Sequence, residues 1–372
     1  MNTSAKDPEN REPTTENRAR GPLSPLRFIL IGAGGRGRMW ATSIMEPLIS
    51  RLRLVEPVAI VDIAPETFPD AREGLGLDAS RCYLDPDQAF KENEADFVII
   101  STPTQFHEDA VDAAIRYGAD MLIEKPIAHT MEACCSVYRK VKEAGRKAAV
   151  VMSHRFDQDK QSLERSIKSG DYGKLDYLVG RNTWACRRVG TWGPEHRYRK
   201  PDPLLTEGTV HHFDIIRSLT GSNAQTIHAN TWNPSWSEFE GDAQALILLE
   251  MENGVRAMYE GAMTNATFLN NWLDDYFRAE CEGGTLELDH RKLRILSDLE
   301  GERKIRELPL CDQEFWLDTW ITKMFIEWLR GGPPPPNSID DNIQCGAMLY
   351  AAIESSHSGK IINVQEFLQS SL

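Results

Sequence analysis

The chain predicts two units in series: a doubly wound parallel α/β sheet over residues 25–153, then an α+β unit over 154–372 with a large, mostly antiparallel open sheet. Three observations carry this. Up to Ser153, short uninterrupted apolar runs alternate with amphipathic stretches, as in parallel strands covered on both faces. The first run opens onto the glycine-rich turn Gly32-Ala33-Gly34-Gly35-Arg36-Gly37. Beyond Arg155, helical segments precede alternating strands separated by Glu252-Asn253-Gly254 and Glu282-Gly283-Gly284, turns of the kind that join hairpins. A chain of 372 residues is also too long for one ordinary core.

Taken in order, residues 1–24 are Asn-, Thr-, Ser-, Glu- and Pro-rich without an apolar segment, and are expected to be a disordered tail or an arm on a neighbouring subunit. Strands are predicted at 28–31, 55–61, 97–101, 121–123 and 148–152, with helices at 108–117 and 131–144 between them. In the second unit, helices are predicted at 159–169 and 204–219, and strands at 243–251, 255–261, 278–281 and 285–288. Residues 333–336 are four prolines, a stiff connector, and 340–356 reads as a closing helix that packs back on the first unit.

The formal charge of −14 argues against nucleic acid or an anionic membrane as the main partner, and no apolar run approaches membrane-spanning length. Seven scattered cysteines without a Cys-x-x-Cys pair argue against structural disulfides and a zinc cluster, and fit a reducing cytoplasm. No metal is expected.

The glycine turn follows a predicted strand and opens a predicted helix, the context in which Gly-x-Gly-x-x-Gly binds a dinucleotide. Gly32 permits the turn, and Gly34 and Gly35 let backbone approach a pyrophosphate. Gly37 lets helix and strand pack closely, and the helix N-terminus faces the phosphates. Asp62 ends the second strand, 25 positions beyond Gly37, where a carboxylate accepts from ribose hydroxyls and repels a 2′-phosphate. NAD is therefore favoured over NADP, although Arg36 and Arg38 lie near enough to swing toward such a phosphate. Glu124-Lys125-Pro126, just past the apolar run 121–123, puts a lysine at the carboxyl edge of the same sheet, where a nicotinamide ring would lie. Burial there would lower the amine's pKa.

The glycine turn together with Glu124-Lys125-Pro126 resembles the glucose-fructose oxidoreductase / inositol dehydrogenase / MocA (Gfo/Idh/MocA) family, from about Leu26 to the C-terminus. The resemblance implies a Rossmann domain, NAD, and a sugar or cyclitol hydroxyl as the reacting group. It also implies a homodimer or homotetramer formed through the open sheet, with two-fold symmetry. Glu124 and Lys125 then belong to the cofactor end of the site. Thr102-Pro103-Thr104-Gln105-Phe106-His107 resembles the segment that packs beside the nicotinamide in this family. A contact with the cofactor and a purely structural role for His107 both remain open.

On the predicted helix over 204–219, Glu207, His211 and Asp214 stand at i, i+4 and i+7 and would share one face. A carboxylate one turn from a histidine suits proton removal from an alcohol, and equally a metal or a structural ion pair. The family pattern here is Asp-x-Gly-x-His-x-x-Asp, so His211 and Asp214 match, while Glu207 and Thr209 depart from it. His212 is expected to point away. Lys125, His211 and Glu207 are thus the catalytic candidates, and Arg155, Asp214 and Trp192 the substrate candidates.

Eight of nine tryptophans follow residue 150, which suits stacking on sugars, sheet packing or a subunit interface. Residues 186–200 hold five Arg or Lys against the single acid Glu195, which suits a solvated loop or an anionic ligand. Three functional classes follow: a dehydrogenase, a redox-type glycoside hydrolase using bound NAD, and a catalytically silent NAD-binding regulator. The pair Lys125 and His211 disfavours the last.

Overall fold

The structure is a computed structural model that describes residues 24–298 and 301–372. Apart from Ser24, the expected tail lies outside these residues.

The first sheet is parallel throughout. Its strands are β1 (Leu26–Ile31), β2 (Val55–Val61), β3 (Cys82–Tyr83), β4 (Phe97–Ile100), β5 (Asp120–Glu124) and β6 (Ala148–Val151). They lie in the order β3-β2-β1-β4-β5-β6. The helices between them are α1 (Gly35–Met39), α2 (Phe68–Leu75), α3 (Pro86–Glu92), α4 (His107–Arg116) and α5 (Met131–Glu143). Both faces of the sheet are buried, so Phe28, Ile29, Leu30, Val98 and Ile99 are all inaccessible. The order reverses between β1 and β4, which opens a crevice beyond their carboxyl ends. Ser101 N donates to Ile31 O at 2.8 Å, so the two loops leave this crevice side by side.

After α6 (Gln158–Lys168) and β7 (Leu175–Thr183) comes α7 (Val210–Thr220). The remaining strands are β8 (Ala224–Trp232), β9 (Gln244–Met251), β10 (Arg256–Ala262), β11 (Tyr276–Cys281), β12 (Gly284–Asp289), β13 (Lys292–Ser297), β14 (Lys304–Leu308) and β15 (Ile362–Asn363). Helices α8 (Leu317–Leu329), α9 (Ile339–Ser358) and α10 (Val364–Ser371) complete the chain. The nine-stranded sheet runs β14-β13-β12-β11-β7-β10-β9-β8-β15. It is antiparallel except where β7 and β10 pair in parallel at its centre. Along β9 the side chains alternate: Ala245, Ile247 and Leu249 are buried against the helices, and Leu246 and Leu248 are exposed.

The closing helix α9 does pack on the first unit, where Tyr350 Oη donates to Ala128 O at 2.6 Å. The helix predicted over 204–219 is not a continuous α-helix. Residues Leu205–Thr209 form a π-turn before α7, and this shifts the phase of the residues ahead of His211.

Candidate active site

The glycine turn has the geometry its residues suggest. Gly32 has φ +91°, and a Cβ there would lie 2.6 Å from Ser101 backbone atoms. A Cβ on Gly37 would lie 1.8 Å from Gly32 O, so neither position tolerates a side chain. A Cβ on Gly35 would meet nothing within 4 Å, and one on Gly34 only Thr67 at 3.4 Å, which leaves an open backbone approach of the size a pyrophosphate needs. Asp62 closes the turn from below. Its Oδ2 accepts from Ala33 N at 2.7 Å and Gly34 N at 3.2 Å, and its Oδ1 from Ala64 N at 2.9 Å.

Arg36 and Glu124 are brought together, with Arg36 Nε donating to Glu124 Oε1 at 2.7 Å. The same oxygen accepts from Trp40 Nε1 at 2.8 Å, and Arg36 Nη2 reaches Asp318 on α8 at 2.5 Å. This network ties α1 to the end of β5. It engages Arg36, and the exposed Arg38 pairs with Asp70 at 2.9 Å. His107 is wholly buried, with Nδ1 3.0 Å from Ile127 O and Nε2 3.0 Å from Thr102 O. Burial holds its pKa down, so the ring is neutral and bonds one carbonyl at a time. It thereby fixes the Thr102-Pro103 turn against the segment following Lys125. The hydroxyls of Ser101 and Thr102 are buried and lack a partner among the described residues, which fits a wall built for a polar cofactor.

Lys125 projects from the end of β5, where its bond to Pro126 is cis. Its Nζ donates to Glu207 O at 3.0 Å and lies 3.6 Å from Glu207 Oε2. Lys200 donates to the other carboxylate oxygen of Glu207. Burial lowers the pKa of Lys125 against the pull of Glu207, with Arg197 and Lys200 adding to the fall. Burial would raise Glu207, but Lys125, Lys200 and Arg197 outweigh it and hold the carboxyl at about 2. Glu207 makes no hydrogen bond to His211, whose Nδ1 is buried without a partner among the described residues. The expected carboxylate–histidine pair is therefore absent. The π-turn rotates Glu207 onto the two lysines instead.

His211 stacks on His154, ring centroids 4.1 Å apart and 10° from parallel. The edge of Trp272 closes over both rings at 5.7 and 4.3 Å. Burial, and then the neighbouring His154 and Lys125, push the His211 pKa well down, so its imidazole is neutral. Burial likewise takes His154 down to about 3.

Beneath them lies a group that the sequence reading missed. Asp275 Oδ2 is 3.0 Å from Lys160 Nζ, and Asp275 Oδ1 accepts from His212 Nε2 at 2.9 Å. That tautomer leaves His212 Nδ1 to accept from Tyr259 Oη at 2.9 Å. His154, His212 and Asp275 have the spacing of a metal trio, but Lys160 already supplies the positive charge that this buried carboxylate needs.

Of the substrate candidates, Asp214 and Arg155 are brought to each other rather than to Lys125. Arg155 Nη1 meets Asp214 Oδ1 at 3.1 Å and Asp341 Oδ2 at 3.6 Å. Arg155 also lines a cavity of about 380 Å³ with Lys168, Arg217 and Asp341, whose lining includes none of Lys125, Glu207 and His211. Trp192 stands two rings from the histidines: it packs on Trp184 at 5.7 Å, which lies 5.2 Å from Trp272.

A dinucleotide crevice facing a buried lysine and a neutral histidine defines a two-domain nicotinamide-dependent oxidoreductase. Comparison with known proteins agrees. Residues 26–152 match the model for the oxidoreductase family with an NAD-binding Rossmann fold, and residues 161–287 match the GFO/IDH/MocA C-terminal domain. The chain belongs to the Gfo/Idh/MocA family. It is 37% identical over 351 residues to the uncharacterised protein y4oX of Sinorhizobium fredii, covering 92% of this chain and 97% of that one. It is 23% identical to the myo-inositol 2-dehydrogenase of Thermotoga maritima, covering 92% and 100%. The fold superposes on an Agrobacterium radiobacter oxidoreductase solved with NAD+, L-tartaric acid and magnesium, with TM-score 0.80, 19% identity and coverage of 92% and 99%. The protein is thus an NAD-binding dehydrogenase of this family. Among the described residues no helix is long and apolar enough to cross a membrane.

Proposed function

We propose that the enzyme oxidises a hydroxyl of a sugar, cyclitol or sugar derivative, with Lys125 and His211 on either side of the reacting alcohol. The observation that carries this reading is the desolvated Lys125 amine at the end of β5, 3.6 Å from Glu207 and set beside a neutral, unpartnered His211. Lowering the pKa of the amine makes its neutral form, the base that takes the hydroxyl proton, easier to reach. The neutral His211 imidazole supplies a second polar contact to the same oxygen. NAD, when bound at the glycine turn, accepts hydride from the carbon. Gly32, Gly34, Gly35 and Gly37 admit its pyrophosphate, Asp62 receives its ribose, and the Thr102-Pro103 turn borders its nicotinamide end. Asp62, with Arg36 and Arg38 both engaged by acids, supports NAD over NADP. Arg36, Glu124 and His107 act in this reading by holding the crevice in shape.

The exposed face of the nine-stranded sheet carries Leu246, Leu248 and Met258 on adjacent strands, with Met258 opposite Leu248. Such a strip supports a homo-oligomer formed face to face through this sheet.

The test is a panel of sugars, cyclitols and uronic acids with NAD and NADP, following the absorbance of the reduced nicotinamide. Lys125→Ala and His211→Ala are each expected to lower turnover at least about a hundredfold while leaving NAD binding largely intact. Near-normal turnover in both variants would show that the chemistry lies elsewhere.

A further inference from the structure

Resting on the reading that Lys125 and His211 flank the reacting alcohol, we propose that the substrate carries one carboxylate, received by Arg197 and Lys200 where an aromatic wall returns toward Glu207. The wall is continuous. It runs from His211 to Trp272 at 5.7 Å, to Trp184 at 5.2 Å and to Trp192 at 5.7 Å, and the Arg197 guanidinium covers the Trp192 ring at 5.0 Å. Aromatic faces of this kind suit the C–H faces of a sugar or cyclitol ring. Trp184 Nε1 is buried within the wall and has no acceptor among the described residues, so a ligand oxygen would satisfy it.

The arginines of the surrounding loop show how Arg197 differs. Arg188 is paired with Glu238, Arg199 with Glu195 and Glu240, and Arg187 donates to the carbonyls of Thr264 and Asn265. Arg197 is partly buried, and no carboxylate of the described residues lies within 4 Å of its guanidinium. In a chain of charge −14, acids are plentiful, so an arginine that stacks on an aromatic ring with no acid in direct contact is placed to receive one from outside.

Charge balance then selects the class of anion. Three cations, Lys125, Lys200 and Arg197, act on the single carboxylate of Glu207. When Lys125 is neutral, as a base must be, Lys200 and Arg197 against Glu207 leave one positive charge. A carboxylate cancels it. A phosphate ester, close to dianionic at neutral pH, would leave excess negative charge beside Glu207.

The experiment compares ring sugars with their uronic acids, together with the corresponding sugar phosphates, using the full enzyme and NAD. The uronate is expected to exceed its neutral counterpart in kcat/KM by at least about tenfold, the scale of one charge-assisted contact, and its KM should rise with salt. Arg197→Met should raise KM for the acid at least about tenfold more than for the neutral sugar, and Arg197→Lys should recover part of the loss. NADH binding, followed by fluorescence, reports whether each variant is folded. Equal or better turnover of the neutral sugar overturns the proposal and leaves the dehydrogenase reading standing, as does a preference for the phosphate ester. An unchanged acid KM in folded Arg197→Met overturns it as well. Absence of turnover with every compound, in an enzyme that still binds NADH, removes the dehydrogenase reading and this proposal with it.

Discussion

Glu207→Gln separates the two candidate bases. The carboxylate lies 3.6 Å from the Lys125 amine, and the two side chains keep only 14% and 12% of their exposure. At that distance and an effective dielectric of about 20, the pair is worth about 4–5 kcal/mol, equivalent to about three pH units of titration. Residual water and the neighbouring Lys200 reduce the expected effect to about one to two pH units. The sign follows from the charges. Glu207 favours the ammonium form, so removing its charge lowers the Lys125 pKa further and makes the neutral amine available at lower pH. If Lys125 takes the proton, the acid limb of the turnover profile moves down by that amount. Glu207 makes no hydrogen bond to His211, so a limb governed by the histidine stays in place. The assay is kcat against pH for both proteins, paired with the pH dependence of Lys125 acetylation read by peptide mass spectrometry. An acid limb that stays fixed while the acetylation curve shifts would refute Lys125 as the base. If the acetylation curve also stays fixed, the electrostatic argument itself fails.

Three further outcomes are expected. Asp62→Ala removes the acceptor of the Ala33, Gly34 and Ala64 amides as well as the ribose contact, so it should weaken NAD more than NADP and narrow the gap between them. Calorimetry giving equal affinities in the unmodified protein would contradict the role assigned to Asp62. His154 has its pKa lowered from 6.5 to about 3, so the unfolded chain binds a proton that the folded one refuses, and the folded state loses stability as pH falls from 6.5 toward 3. His154→Phe should therefore spare about 2 kcal/mol of the loss between pH 6.5 and 5, measured by urea unfolding, and equal losses in the two proteins would rule this out. Leu248→Arg on the open sheet face should shift the light-scattering mass toward monomer at micromolar concentration, and a monomeric unmodified protein would dismiss the interface.

The cofactor half was legible because its signals are local. The glycine turn, Asp62 and Lys125 each follow directly on a strand, and parallel strands buried on both faces announce themselves as apolar runs. Strand β7 was not read, although it lies near the centre of its sheet. Its sequence Leu-Asp-Tyr-Leu-Val-Gly-Arg-Asn-Thr mixes polar residues into both faces, and only its long-range pairing with β10 and β11 makes it a strand. Glu207 was misplaced for a different reason. The i, i+4 argument assumes an unbroken α-helix, and no residue pattern in 205–209 marked the π-turn that redirects the carboxylate to Lys125 and Lys200. His154, Lys160 and Asp275 had no local signal at all. A histidine in the short turn after β6, a lysine in a helix and an aspartate before another strand become one buried group only in three dimensions.

The two polar networks divide the labour of the site. Arg36, Glu124, Trp40 and Asp318 brace the glycine turn against β5, and so set where Lys125 emerges. Lys160, Asp275, His212 and Tyr259 brace α7 from beneath, and so set where the His154–His211 stack lies. Both are buried and held by charge-assisted contacts, so the distance between Lys125 and His211 is fixed by the scaffold and not by the ligand. The wall beyond them is built otherwise. Trp184, Trp192 and Arg197 belong to β7's continuation and the irregular segment 184–200, whose helical structure is a single turn at Glu195–Arg197. A segment of that kind can change sequence without disturbing either network. In the proposed reading the chemistry follows from the braced pair, which the two sheets position, while substrate choice follows from the residues of 184–200.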